Sequence, residues 1–205
     1  EASNIELLEN KVTYRINNEL NVDFHIPGDF SVYNSLAAIG AVSALGFSLE
    51  DTVKAISKAK SVKGRLELVE TNTPFGVIID YAHTPDGLEK AINAVRGFTK
   101  GRVITLFGCG GDRDKTKRPI MGSIAARYAD FVIVTSDNPR SEEPMAIINE
   151  IIKGVTRVNP KAAAHIEVDR RAAIEYALQE AEKGDVVIIA GKGHETTQEI
   201  AGVKY

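Results

Sequence analysis

A polar loop at positions 135 to 144 carries residue types suited to binding an amino acid. Its sequence is Thr-Ser-Asp-Asn-Pro-Arg-Ser-Glu-Glu-Pro, and it follows the apolar run Phe131 to Val134. Arg140 offers a planar fork of donors that suits a carboxylate, and Asn138 can both donate and accept hydrogen bonds. The pair could therefore recognise an amino acid head group. The alternative is a turn before a helix, because Asn and Asp cap backbone groups in loops and Pro144 suits a first helical turn.

A glycine-rich loop at positions 108 to 115 is a second candidate, with the sequence Gly-Cys-Gly-Gly-Asp-Arg-Asp-Lys. Its glycines would let the backbone approach a ligand closely, and Arg113 could contact a carboxylate. It is not a dinucleotide fingerprint, since Arg113 replaces the third glycine, and the chain has no Gly-Lys-Ser/Thr of a P-loop. The glycines could also serve only a tight turn. Cys109 has no identified base, so we assign it no nucleophilic role.

The segment Asp-Tyr-Ala-His-Thr-Pro-Asp at positions 80 to 86 allows two interpretations. Asp80, His83 and Asp86 are spaced so that they could hold a metal ion, which would suit a metal-dependent hydrolase. Alternatively, Thr84 caps a helix that begins at Pro85, and Asp86 lies near the positive end of that helix.

A fourth polar segment, Gly-Lys-Gly-His-Glu at positions 191 to 195, follows an apolar run. Glu195 could accept an ammonium group, and Gly191 could supply a backbone carbonyl. The two charged groups of an amino acid could thus be met by different loops. A non-catalytic amino-acid-binding module is a further alternative to an enzyme.

The elements that must position these loops indicate an α/β fold with a mainly parallel sheet, because strands and helices alternate after position 70. Predicted strands span Gly76 to Asp80, Val103 to Phe107, Phe131 to Thr135, Ala164 to Val168 and Asp185 to Ala190, and predicted helices span Pro85 to Phe98, Pro119 to Tyr128, Pro144 to Gly154 and Arg170 to Lys183. Each polar segment follows a strand, where open α/β sheets bind ligands.

The first part of the chain has a different pattern. Lys11 to Ile16 and Leu20 to Ile26 alternate apolar and polar residues across an Asn-Asn pair, which predicts a β-hairpin. Two helices are predicted next, over Ser31 to Leu45 and from an N-cap at Ser48 to about Lys60. We place a domain boundary near Glu70.

Composition favours an ordinary globular protein: 205 residues, 43% hydrophobic and 26% charged. The net charge of -3, with scattered Lys and Arg, gives no electrostatic case for binding nucleic acid or a membrane surface. No apolar run is long enough for a membrane span or secretory signal, so we expect a cytoplasmic location. The chain begins without Met and ends in a predicted strand, so we expect a piece of a longer protein.

The four polar segments, in this order, resemble the motifs of the Mur ligase family. By that resemblance, residues 1–69 are the later part of the central ATPase domain. Residues 70–205 are a Rossmann-like C-terminal, amino-acid-binding domain that is incomplete at its end. The implied reaction uses ATP and Mg²⁺ to activate a carboxylate of UDP-N-acetylmuramoyl-L-alanyl-D-glutamate as an acyl phosphate. The amine of meso-diaminopimelate then attacks it, in peptidoglycan precursor synthesis.

The resemblance also implies roles for individual residues. Diaminopimelate would be bound by Arg113, Asp137, Asn138, Pro139, Arg140, Gly191 and Glu195, and the nucleotide by Asn34, Arg65, Asp80, Tyr81 and His83. The P-loop, the Mg²⁺ ligands and the UDP-sugar domain of the family are missing from this sequence. We therefore assign no catalytic residue and expect this chain to be inactive alone.

Overall fold

The computed structural model describes residues 1–158 and 164–205 and confirms the predicted α/β class with a mostly parallel sheet. The chain divides into two compact units, residues 1–62 with 94–98, and residues 63–93 with 99–205. The assignment of residues 1–69 and 70–205 to two ligase domains stays a prediction.

The first unit contains a three-stranded antiparallel sheet of β1 (Ala2–Leu7), β2 (Val12–Ile16) and β3 (Leu20–Phe24), in that order. The predicted hairpin is confirmed as β2 and β3. Its turn places Asn17 and Asn18 at φ of 52° and 59°, a left-handed conformation that Asn tolerates better than most residues. The sequence did not predict β1, an edge strand with an irregular register in which no residue is fully buried.

Two helices cover this sheet, α1 (Phe30–Ala44) and α2 (Leu49–Ile56). The predicted N-cap of α2 is confirmed, because Ser48 Oγ accepts a hydrogen bond from Asp51 N at 3.1 Å. The core of the unit includes buried side chains from both layers, among them Tyr14 and Ile39. The hydroxyl of Tyr14 lies 2.8 Å from Ser35 Oγ, which satisfies a buried polar group.

The second unit is built on a six-stranded sheet with β9 near its centre. Its strands are β4 (Glu67–Leu68), β5 (Gly76–Asp80), β6 (Val103–Phe107), β7 (Phe131–Val134), β8 (Ala164–Ile166) and β9 (Val186–Ala190). The order is β4-β5-β9-β6-β7-β8, and every pair is parallel except β4 with β5. The carboxyl ends of β5, β6, β7 and β9 therefore meet at one edge, as in other open α/β sheets.

Four helices connect these strands: α3 (Pro85–Arg96), α4 (Lys117–Tyr128), α5 (Pro144–Val158) and α6 (Arg170–Glu180). A short hairpin of β10 (Glu199–Ile200) and β11 (Val203–Lys204) follows β9. The helices confirm the predicted alternation with small changes at their ends. Among the described residues, no helix has the length and apolar character needed to cross a membrane.

Two glycines allow α4 and α5 to pack at very short range. A Cβ atom on Gly154 would lie 1.8 Å from the carbonyl oxygen of Pro119, and one on Gly122 would lie 2.1 Å from that of Ile151. Only glycine fits at such distances, because the obstructing atoms belong to the backbone. This packing fixes the two helices relative to each other and so positions the loops that precede them.

We expect Gly154→Ala to lower the free energy of unfolding by about 1–3 kcal/mol, the usual cost of overpacking. Gly40→Ala is the matched control, since a Cβ atom there meets nothing within 4 Å and Ala favours the helix. Urea denaturation of both variants makes the comparison. Equal stability of the two variants would contradict the close packing of α4 and α5.

Candidate functional site

A cavity of about 560 Å³ lies at the carboxyl edge of the large sheet. It is lined by eight residues that the sequence had singled out: Tyr81, His83, Arg113, Asp137, Asn138, Arg140, Gly191 and Glu195. They come from the segments that follow β5, β6, β7 and β9. Residues far apart in sequence are therefore brought to one place, as the topology predicts.

The four other predicted site residues are not among those lining the cavity. Pro139 is buried within its loop, and Asp80 is buried at the end of β5. The guanidinium carbon of Arg65 lies 4.9 Å from the centre of the Tyr81 ring. Asn34 is exposed on α1 of the first unit.

Asn138 is the hub of polar contacts at the cavity. Its side-chain nitrogen donates to Glu195 Oε2 at 2.9 Å. Its side-chain oxygen accepts from Lys192 Nζ at 3.0 Å and from the backbone nitrogen of Glu199 at 2.9 Å. These partners identify which end of the amide is nitrogen, because donors and acceptors are matched. Asn138 thus joins its own loop to the segment after β9.

Glu195 already accepts an ammonium group, that of Lys192, whose Nζ lies 3.0 Å from Oε2. Burial raises the pKa of Glu195, but the hydrogen bonds from Asn138 and Lys192 outweigh burial, and the net direction is downward. Glu195 is therefore a carboxylate at neutral pH and suits a positively charged ligand group.

Arg140 is one of three cationic residues that line the cavity, with Arg113 and Lys117. Its backbone is left-handed, with φ of 52°, and one guanidinium nitrogen donates to Gly111 O at 2.8 Å. Its Nε lies 3.6 Å from Glu199 Oε2, an ion pair longer than a hydrogen bond. The predicted turn is also present, because Asp137 Oδ1 accepts from Asn138 N at 2.7 Å. The same loop is both a turn and a cluster of ligand-facing groups.

The glycine-rich loop packs directly against the loop at positions 135 to 140. A Cβ atom on Gly111 would lie 1.9 Å from the carbonyl oxygen of Pro139, and one on Gly108 would lie 2.3 Å from that of Thr135. In addition, Gly111 N donates to Asn138 O at 2.9 Å. We expected these glycines to let the backbone approach a ligand closely. The structure shows that Gly108 and Gly111 let the backbone approach a neighbouring loop closely.

Arg118, which the sequence did not single out, is fully buried and ties the two loops together. One nitrogen donates to Glu142 Oε1 at 2.8 Å, and the other donates to Glu142 Oε2 at 3.0 Å and Glu150 at 2.9 Å. A weaker bond of 3.4 Å reaches Gly110 O in the glycine-rich loop. Since Glu142 precedes α5 and Arg118 lies at the start of α4, this guanidinium fixes both loops.

A second set of bonds reinforces the same junction. Glu142 Oε1 accepts from Asp112 N at 2.8 Å, and Asp112 Oδ1 accepts from Ser141 Oγ at 2.6 Å. The hydrogen bonds from Arg118 lower the pKa of Glu142 to about 2, with help from Asp112 N. No local sequence pattern marks Arg118, because its partners lie 24 and 32 residues away.

Sequence and structure comparisons identify related proteins. The profile described as "Mur ligase, glutamate ligase domain" matches residues 64–193. The chain belongs to the Mur ligase family.

Individual Mur ligases show how much of the family this chain represents. The UDP-N-acetylmuramoyl-L-alanyl-D-glutamate--2,6-diaminopimelate ligase of Caldanaerobacter subterraneus is 54% identical over 177 residues, which is 86% of this chain and 36% of the relative. The protein of the same name from Alkaliphilus oremlandii is 53% identical over 180 residues, or 87% of this chain and 37% of the relative. The chain thus spans little more than a third of these relatives.

A solved structure of a UDP-N-acetylmuramoyl-L-alanyl-D-glutamate--2,6-diaminopimelate ligase is 34% identical, with a TM-score of 0.74. The match covers 100% of this chain and 42% of that protein. The predicted resemblance and fold class are therefore confirmed.

The alternative of a metal-dependent hydrolase is not supported by the geometry. Both Asp80 oxygens accept backbone hydrogen bonds of 2.8 Å, from Leu66 N and Ala82 N. Asp86 instead pairs with Lys90 at 2.9 Å. Within residues 1–158 and 164–205, no group of three His, Cys, Asp or Glu side chains could hold a metal ion.

The helix-cap interpretation of the same segment is confirmed. Thr84 Oγ1 accepts from Gly87 N at 3.2 Å at the start of α3. Asp86 lies in the first helical turn, where a negative charge is favourable.

We expect Arg118→Met to lower the urea midpoint at pH 7, because Glu142 and Glu150 lose their buried partner. The pKa of Glu142 is lower in the folded protein, about 2, than its ordinary value of 4.5. Its stabilising contribution is therefore complete above about pH 4.5 and is lost as the pH falls towards 2. The stability difference between wild type and Arg118→Met should shrink over that range. A difference that is constant from pH 7 to pH 2 would contradict this assignment.

We expect Cys109 to resist alkylation in the folded protein. The thiol is buried, with its Sγ 3.7 Å from the sulfur of Met121, and burial raises its pKa from 9.0 to about 12. Iodoacetamide at pH 8 should modify little of it before urea is added and all of it afterwards, as measured by mass spectrometry. Rapid modification without urea would show an accessible thiolate.

Proposed function

We propose that this chain is the amino-acid-presenting part of an ATP-dependent ligase that adds meso-diaminopimelate to UDP-N-acetylmuramoyl-L-alanyl-D-glutamate. The observation that carries the proposal is one cavity with a cationic wall at Arg140 and an anionic wall at Glu195. An amino acid end group has an ammonium and a carboxylate, so both of its charges meet a complementary partner there. The names of the relatives agree with this substrate.

The proposed reaction forms an amide from a carboxylate and an amine. ATP transfers its terminal phosphoryl group to the substrate carboxylate, which gives an acyl phosphate and ADP. One diaminopimelate amine attacks the carbonyl carbon, a tetrahedral intermediate forms, and phosphate leaves as the amine loses a proton. In this scheme the chain binds and orients the amino acid, since a fixed near-attack geometry lowers the barrier. We assign none of its residues a catalytic role.

We propose that Arg140 sets the preference for diaminopimelate over lysine, together with Asn138 and Arg113. Diaminopimelate carries a carboxylate at its far end, whereas lysine carries only an ammonium group there. A hydrogen bond to a charged group is worth about 1.5–3 kcal/mol, which corresponds to roughly 10- to 100-fold in binding. Asp137, Pro139 and Gly191 complete the proposed site, with Pro139 acting through the loop it shapes.

We propose a nucleotide contact for five residues of the chain, in agreement with the family resemblance: Asn34, Arg65, Asp80, Tyr81 and His83. Asp80 also holds the backbone at Leu66, and Tyr81 supports the Arg65 side chain. The described side chains include no cluster of three His, Cys, Asp or Glu that could hold a metal ion, and we derive no step through Mg²⁺. Its ligands are proposed to lie in the part of the relatives that this chain does not span.

We further propose that residues 1–69 belong to the central ATPase domain and residues 70–205 to the C-terminal domain of such a ligase, acting in the cytoplasm.

The test is phosphate release by the full-length gene product with ATP and UDP-N-acetylmuramoyl-L-alanyl-D-glutamate, comparing meso-diaminopimelate with L-lysine. We expect a strong diaminopimelate preference that falls roughly 10- to 100-fold in Arg140→Ala, the worth of one charged hydrogen bond. Arg127→Ala, which removes the same charge from an exposed site on α4, should retain the preference.

Equal use of lysine by the wild type would remove the specificity proposal and keep the ligase. Diaminopimelate binding without phosphate release would instead favour a non-catalytic amino-acid-binding module.

A further inference from the structure

An internal ammonium group already occupies the anionic wall of the cavity. Lys192 Nζ lies 3.0 Å from Glu195 Oε2 and 3.0 Å from Asn138 Oδ1. The Lys192 side chain is 11% exposed and the Glu195 side chain 32% exposed. A carboxylate and an amide oxygen around one ammonium form the contact that the amine of an amino acid ligand would make.

An internal carboxylate likewise occupies the cationic wall. Glu199 Oε2 lies 3.6 Å from Arg140 Nε, with the two side chains 33% and 22% exposed. The backbone of Glu199 is fixed to the same loop, because its nitrogen donates to Asn138 Oδ1 at 2.9 Å and its oxygen accepts from Arg140 N at 3.1 Å. The Glu199 side chain can therefore move while its backbone stays in place.

Both contacts have features that suit exchange. Ion pairs between partly exposed side chains contribute little to stability, so replacing one by an equivalent contact with the ligand costs little. Lys192 and Glu199 both have long side chains with several rotatable bonds. Glu195 and Lys192 also line a second cavity of about 740 Å³. Asp169 and Glu175 line the same cavity, and their carboxylates could receive the ammonium group of a displaced Lys192.

We infer that Lys192 and Glu199 are internal substitutes for the ammonium and the carboxylate at the far end of diaminopimelate, and that the ligand displaces both side chains. This inference rests on the proposed function. A diaminopimelate molecule replaces Lys192 at Glu195 with its far ammonium and Glu199 at Arg140 with its far carboxylate. Glu195 and Arg140 are then both still paired. Lysine exchanges only the ammonium contact, and Glu199 then stays on Arg140. Glu199 therefore reduces the free-energy penalty against lysine, and Lys192 weakens the binding of every ligand that brings an ammonium group at its far end.

The experiment measures dissociation constants of the full-length gene product by calorimetry for three ligands. These are meso-diaminopimelate, L-lysine, which lacks the far carboxylate, and L-2-aminopimelate, which lacks the far ammonium. Lys192→Met should tighten the binding of meso-diaminopimelate and L-lysine and should not tighten the binding of L-2-aminopimelate. The expected change in the dissociation constants is about two- to fivefold, since the ion pair that Lys192 loses is partly exposed. Lys192→Gln serves the same purpose if the first variant does not fold.

Glu199→Gln gives the complementary pattern. It should tighten the binding of meso-diaminopimelate and L-2-aminopimelate about two- to fivefold and leave the binding of L-lysine unchanged, because only the first two ligands have a far carboxylate that pairs with Arg140. Lys153→Met and Glu9→Gln remove the same charges at exposed positions that do not line either cavity, and they should change none of the constants.

A variant of Lys192 or Glu199 that changes all three constants alike, or none of them, overturns the inference, because a merely structural side chain does not distinguish the ligands. The proposed function fails separately, if the wild type neither binds meso-diaminopimelate nor releases phosphate with it. Binding by the wild type without the ligand-specific pattern overturns only the inference.

Discussion

The site depends on the buried guanidinium of Arg118. A buried charge without a partner is strongly destabilising, so Arg118 can stay in the interior only while Glu142 and Glu150 meet it. This requirement couples the start of α4 to the loop before α5. Several residues face the cavity from these two loops, among them Arg113 and Arg140, and their backbones are placed by a group that does not itself line the cavity.

The charged side chains Arg140 and Glu195 at the cavity are each balanced by an opposite charge. Arg140 and Glu195 both line the cavity, and each is paired within the chain, Arg140 with Glu199 and Glu195 with Lys192. Asn138 touches the Lys192 and Glu195 side chains and the Glu199 backbone, so one amide connects the two pairs. A cavity of this kind presents two ion pairs to a zwitterion instead of isolated charges.

Local patterns predicted most of the fold and the cavity, whereas long-range contacts could not be predicted. The Asn17-Asn18 turn and the Ser48 cap are encoded by neighbouring residues, and apolar runs marked the buried strands. The two-residue strands β4 and β10 are too short to show a period, so no pattern of residues predicted them. Arg118 was missed because its carboxylate partners are distant in sequence. The glycine-rich loop was found by type, but its close neighbour, Pro139, became visible only in three dimensions.

The central position of β9 has a consequence for how the protein is made. β9 hydrogen-bonds to both β5 and β6, although it is the last strand of the large sheet to be synthesised. Until residues 186–190 have left the ribosome, β5 and β6 have no common neighbour, and one edge of each strand keeps unpaired backbone N–H and C=O groups. Such late, non-local pairing slows folding and lengthens exposure of aggregation-prone edges. The second unit should therefore acquire its cavity only after β9 and the segment that follows it, as far as Glu195, have been translated.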